Sequence, residues 1–391
     1  MIALRIWITV RQAVSDAVKL SMAEVEPGVE ESRSWQEGET MKTLMRLRRV
    51  LLTMIYLPSL TGCAGMSLQS DPNLVTESYL IQSRDPGVHL YVRNKRLQDM
   101  TAFSPEKTLL YVHGATQASE TTFDLQLDGL SWMDYLAQRG YDVYLVDLRG
   151  YGRSTRPPEM EQPAANNQPI VRTDTAVKDA GAAIDHILAR RSLPKINLMG
   201  WSWGATIMAT YTSHNNDKVN RLILYAPGWL YAAPTSAQPA LGAYQTWTMA
   251  QARSRLQNGA PEDKRLGLMT PDWYERWSVA VLATDPVGAK QNPPVVRTPN
   301  GVVQDNRDYW MMGKPVWDPA KVVVPTLVVC GEWDGVTPLS EVQPLFGKLS
   351  NAAYRRFVQI GEATHFMMLE KNRMQLFREV QLFLDEPAPT Q

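Results

Sequence analysis

The sequence predicts an α/β fold, a mostly parallel central sheet flanked by helices and interrupted late in the chain by a helical insertion. Three features point to it. Short, continuous apolar runs alternate with segments whose apolar residues recur at helical spacing, and strands of that kind, covered on both faces, need right-handed crossovers. One run, residues 195–199, passes through Gly200-Trp201-Ser202-Trp203-Gly204 into a helical stretch at 205–211, so the chain turns from strand to helix within one residue. From about 228 to 317 the alternation stops, and Trp and Pro accumulate.

A chain of 391 residues holds one large α/β domain with an insertion, or two domains. Forty basic residues balance forty acidic ones, which gives no support to nucleic-acid binding. Residues 41–49 are basic and lead into the apolar stretch 50–60. That is the anatomy of a signal peptide, and the stretch is too short to span a bilayer comfortably. Leu60-Thr61-Gly62-Cys63 then resembles a bacterial lipobox. The resemblance implies cleavage before Cys63, lipid modification of its thiol and, with Ala64 following, an outer-membrane location facing the periplasm. Residues 1–40 are then expected to be an upstream extension or a start-site artefact, 41–62 the signal segment and 63–76 a polar tether. The only other cysteine, Cys330, ends an apolar run and reads as a buried, inert thiol rather than half of a disulfide.

The core is expected to span 77–227 and 318–385. Residues 77–82 and 88–93, separated by the turn sequence Asp85-Pro86-Gly87, predict an opening hairpin. Runs at 108–112, 141–146, 195–199, 222–225, 326–330 and 356–360 predict the remaining strands. Helical spacing predicts helices over 125–139, ending at Gly140, over 174–191 and over 370–384. Within the insertion, 228–317, helices are expected at 244–257 and 271–282. Its aromatic residues Trp229, Tyr231, Tyr244, Trp247, Trp273, Trp277, Tyr309 and Trp310 are candidates for an apolar roof.

A serine hydroxyl is a poor nucleophile at neutral pH and needs a base within hydrogen-bond reach. The helix that begins after Ser202 points its free N–H groups and positive dipole end at any negative charge developing there. Of five histidines, His365 lies just past the last predicted strand, on the rim that the carboxyl ends of parallel strands share, where it can meet Ser202. The imidazole in turn needs an acceptor to set its tautomer. Gly331-Glu332-Trp333-Asp334-Gly335 leaves the preceding strand at the same rim and offers two carboxylates, Glu332 and Asp334.

Gly200-Trp201-Ser202-Trp203-Gly204, followed in chain order by Asp334 and His365, resembles the nucleophile elbow and triad of α/β-hydrolases, over about 78–385. It is similar to the esterase, proline-iminopeptidase and haloperoxidase branches. The resemblance implies Ser202 as nucleophile, His365 as base and, by its G-x-x-D pattern, Asp334 as the acid. It also implies oxyanion donors at the Trp203 and Ala115 N–H groups, since His113-Gly114-Ala115-Thr116 resembles the family's His-Gly turn, with His113 tying the loop down. Asp147 to Ser154 resembles a loop that holds the fold, and the insertion occupies the slot of a lid. The chain lacks the His-Gly-Gly-Pro-Gly of proline iminopeptidases, and serine at 202 argues against branches in which a carboxylate attacks carbon. The expected activity is cleavage of a small-molecule carboxylic ester with an apolar group, through an acyl-enzyme. Amide, thioester or carbon–carbon cleavage on the same triad stays open, as does a non-enzymatic envelope lipoprotein with a degenerate site. No H-E-x-x-H, cysteine cluster or phosphate loop is present, so neither a metal nor a nucleotide cofactor is expected.

Overall fold

The computed structural model describes residues 73–231 and 238–387, all within the unit Leu68–Gln391. Residues 1–40, the signal-like segment 41–62, Cys63 and the tether up to residue 72 lie outside the described residues. The chain opens on a hairpin of β1 (Leu74–Gln82) and β2 (His89–Leu97). Its ladder reaches into the expected tether, because Leu74, Val75 and Thr76 are strand formers that pair with Leu97, Arg96 and Lys95. Then follow β3 (Thr108–Val112), β4 (Asp142–Val146), β5 (Ile196–Trp201) and β6 (Val219–Tyr225). The insertion contributes β7 (Tyr244–Thr248) and β8 (Val295–Pro299), and the chain returns through β9 (Thr326–Gly331) and β10 (Arg355–Ile360). The helices are α1 (Glu120–Phe123), α2 (Trp132–Ala137), α3 (Thr173–Arg191), α4 (Trp203–Thr212), α5 (Met249–Leu256), α6 (Pro271–Ala283), α7 (Gly301–Asp308), α8 (Leu339–Lys348) and α9 (Arg373–Asp385).

Eight strands form one sheet in the order β1-β2-β4-β3-β5-β6-β9-β10, parallel from β4 to β10, with β1 and β2 antiparallel at one edge. Every residue of β3, β4, β5 and β9 is buried, as strands covered on both faces must be. The two-residue period sorts their side chains between two cores. Leu110, Leu198 and Val328 pack with Ile184 of α3, Ile207 of α4 and Leu345 of α8. Their neighbours Tyr111, Met199 and Val329 face the other way, towards Leu136 of α2 and Phe377 of α9. A fully buried side chain of this size contributes about 1.5–3 kcal/mol relative to exposure, so each apolar run is held in register by the face it would expose if it slipped.

Two predicted helices are shorter than their spacing suggested. Over 125–139 only α2 forms, because Asp128 and Gly129 take positive φ (49° and 74°) and Ser131 caps the helix by accepting from the Asp134 N–H. Over 244–257 the first five residues are β7, paired antiparallel with β8. Their alternation of aromatic and β-branched residues suits a strand, and Thr248 and Gln251 form a capping box that starts α5 one residue later. The insertion is seated on the core by Arg297 of β8, which is buried, pairs with Asp285 at 2.8 Å and donates to the Met160 carbonyl at 2.6 Å. Among the described residues no helix is long and apolar enough to cross a membrane.

Candidate active site

The sheet brings the candidate residues to one rim. Val112 pairs with Gly200, Trp201 with Tyr225 and Gly331 with Ile360, so β3, β5, β6, β9 and β10 all end on the same side. Ala115, Ser202, Asp334 and His365 lie one to five residues beyond those ends. Ser202 has φ 57° and ψ −119°, between the last residue of β5 and the first of α4. Gly200 and Gly204 leave it room: a Cβ on Gly200 would sit 2.1 Å from the Gly204 carbonyl oxygen, and one on Gly204 2.3 Å from that of Val112.

His365 is buried, and its Nδ1 lies 2.8 Å from Asp334 Oδ2. Asp334 is itself held tightly. Its Oδ1 accepts from the Val336 and Thr337 N–H groups at 2.9 and 2.7 Å, and its Oδ2 accepts from Thr337 Oγ1 at 2.9 Å. The carboxylate acceptor makes Nδ1 the nitrogen of the ring that donates, which leaves Nε2 as the acceptor. The opposite nitrogen, Nε2, is buried with no hydrogen-bond partner, and Ser202 Oγ does not bond to it. Glu332 instead accepts from the Glu362 N–H at 2.8 Å, away from the imidazole.

Residues that the sequence reading passed over hold this geometry. The His365 carbonyl accepts from the Trp201 indole N–H and the Tyr225 hydroxyl, each at 3.0 Å. Glu370 accepts from the Thr364 N–H at 3.1 Å and from the Thr364 hydroxyl, fixing the residue before the histidine. Burial pushes the Glu370 carboxyl up to about 7.

The Trp203 and Ala115 N–H groups have no acceptor among the described residues, and both residues border the space next to Ser202. Tyr151 Oη donates to the Ala115 carbonyl at 2.7 Å and so fixes that turn. His113 is bonded on both nitrogens: Nδ1 donates to the Gly114 carbonyl at 2.7 Å and Nε2 accepts from the Leu148 N–H at 3.1 Å. Burial pushes its pKa down to about 4, so it is a neutral strut. Asp147 accepts from the Ser119 N–H at 2.8 Å and the Arg153 N–H at 3.3 Å, under the loop it was expected to hold. Cys330 is a free, buried thiol whose pKa burial pushes up to about 12.

A cavity of about 470 Å³ opens over Ser202, between the rim and the insertion. Of the eight expected roof aromatics only Tyr231, Trp247 and Trp310 border it. Trp273 and Trp277 are buried in the core beside α9, and Tyr309 is exposed. The rest of the wall is mixed, with Val302 and Met311 beside Gln245, Arg255, Asn258, Asn306 and Glu341. Among the described residues no three His, Cys, Asp or Glu side chains converge to hold a metal ion.

The alpha/beta hydrolase fold family matches residues 107–372 of the chain. Lipase 1 of Drosophila melanogaster is 24% identical over 310 residues, covering 69% of this chain and 70% of that protein. Among solved structures, a serine hydrolase involved in carbazole degradation superposes with a TM-score of 0.54 at 19% identity, over 79% of this chain and 99% of its own. An esterase from Exiguobacterium antarcticum gives 0.51 at 18% identity, over 79% of this chain and 100% of its own. At such identities these structures establish the shared fold.

Proposed function

Since the chain belongs to the α/β-hydrolase family, we propose that it is a serine hydrolase that cleaves carboxylic esters through Ser202, His365 and Asp334. The observation that carries this reading is the 2.8 Å contact between His365 Nδ1 and Asp334 Oδ2, which leaves Nε2 unpartnered at the strand rim that bears Ser202. In this mechanism Ser202 Oγ attacks the ester carbonyl carbon while its proton passes to Nε2. The resulting oxyanion is held by the Trp203 and Ala115 N–H groups. The tetrahedral species collapses, the alcohol leaves with the proton from His365, and water repeats the sequence to free the acid. Hydrogen bonds between serine and histidine commonly tighten only once substrate is bound, which accords with the open Nε2. The insertion acts as the lid that closes this cavity.

Ser202→Ala is expected to reduce turnover of 4-nitrophenyl butyrate to background with an unchanged circular dichroism spectrum. Wild-type kinetics in that variant would refute the assignment. A fluorophosphonate probe separates catalysis from a binding role, because it labels only an activated serine. The same reading attaches the protein to a bacterial outer membrane through acyl chains on Cys63, each buried CH₂ contributing about 0.8 kcal/mol. Cys63→Ser is then expected to move the protein from the membrane to the soluble fraction.

A further inference from the structure

The cavity over Ser202 is bordered by an arginine that makes no ion pair among the described residues. Arg255, in the last turn of α5, borders the cavity, and its Nε is buried with no hydrogen-bond partner. The charge of Asp334 acts on it, but both oxygens of Asp334 are already taken by His365, Val336 and Thr337. Trp247 stands beside it, its ring centroid 5.5 Å from the guanidinium carbon, and the Trp247 indole N–H is a second buried donor without an acceptor. A partly buried guanidinium without a counterion is a ready site for an anion, and neighbouring unsatisfied donors at a cavity wall mark where an acceptor belongs.

We propose that the ester substrate carries an anionic oxyacid group, a carboxylate or a phosphate, which docks on the Arg255 guanidinium and the Trp247 N–H while its scissile carbonyl lies at Ser202. This deepens the hydrolase reading and rests on it. Both ends belong to one cavity, so a single small molecule bridges them. The remaining acid of the wall, Glu341, makes no ion pair with Arg255: its Oε2 is unpartnered, and burial and the charge of Asp334 push its carboxyl up to about 7. The planar fork of arginine matches carboxylate and phosphate geometry, which a purely apolar acyl chain would leave unused.

The test uses the full-length protein and two matched pairs of esters. One pair is 4-nitrophenyl hydrogen adipate against 4-nitrophenyl hexanoate, which differ by a terminal carboxylate. The other is a lysophosphatidate against the monoacylglycerol with the same acyl chain, which differ by a phosphate. At least one anionic member is expected to have a kcat/KM about 10- to 100-fold above its neutral partner, and the pair with the larger ratio identifies the anion. In Arg255→Met that ratio is expected to fall to near one, and Arg255→Lys to retain part of it. Ratios near one for the wild type in both pairs, or a ratio that survives in Arg255→Met, would overturn the proposal. If Arg255→Met does not fold, the wild-type ratios and those of Arg255→Lys decide. Failure to cleave any of the four esters would instead count against the hydrolase reading itself.

Discussion

A serine held at φ 57° and ψ −119° carries backbone strain of about 1–3 kcal/mol, and such strain persists only where the surroundings enforce it. Here the enforcement comes from close backbone packing. Gly200→Ala and Gly204→Ala each drive a methyl into a carbonyl oxygen, at 2.1 and 2.3 Å, and each is expected to abolish soluble expression or lower Tm steeply. A wild-type Tm in either variant would show that the elbow is not under this constraint. At the acid, Asp334→Asn keeps an acceptor for the Val336 and Thr337 N–H groups but favours the wrong tautomer of His365. Its kcat for an ester is expected to drop by about 10⁴-fold with KM little changed, and a loss under about tenfold would remove Asp334 from the proposed triad. The placement of Ser202, Asp334 and His365 at the sheet rim was legible because each sits in a short motif just past an apolar run, so local pattern places it. Trp201 and Tyr225, which clamp the His365 carbonyl, were not: their partner lies 164 and 140 residues away, and nothing local distinguishes them from core aromatics.

Elements were legible wherever burial alone decided them. The buried strands β3, β5 and β9 read directly from unbroken apolar runs, because both of their faces meet helices. Residues 244–248 did not, since the partner that makes them a strand, β8, comes some fifty residues later and only its pairing overrides the helical spacing. The turn between β10 and α9 shows a further level, where one buried acid organises a loop through Thr364. Glu370 has a pKa near 7 in the folded protein against 4.5 ordinarily, so the folded state holds the extra proton between those values. Its contribution to stability is therefore complete below about pH 4.5 and is lost as pH rises through about 7. Glu370→Gln cannot titrate. The urea midpoint of the wild type is expected to fall relative to that of Glu370→Gln between about pH 5 and pH 8, and parallel midpoints across that range would show that Glu370 is not the group responsible.

The whole molecule joins two structures that chain order keeps apart, the sheet rim and the insertion, and their contact bears on the acid loop. Asn258 Nδ2 donates to the Gly335 carbonyl at 2.8 Å, and the Gly335 N–H donates back to the Asn258 carbonyl at 3.3 Å. Gly259, at φ 92°, lies so close that a Cβ there would be 2.1 Å from the Trp333 carbonyl oxygen and 2.6 Å from the Gly335 nitrogen. Asp334 lies between those two residues, so the insertion both walls the cavity and presses on the loop that orients His365. Gly259→Ala is accordingly expected to lower kcat for a neutral ester by about tenfold or more and to reduce Tm by a few degrees, since backbone displacement next to the proposed catalytic carboxylate costs orientation as well as packing. Gly347→Ala in the last turn of α8 is the control: a Cβ there meets nothing within 4 Å, and alanine in a helix favours folding over glycine by at most about 0.5–1 kcal/mol, so activity should hold and Tm should not fall. If Gly259→Ala matches the wild type in both kcat and Tm while the control behaves as stated, the insertion and the acid loop are independent, and the cavity wall has no part in setting the triad.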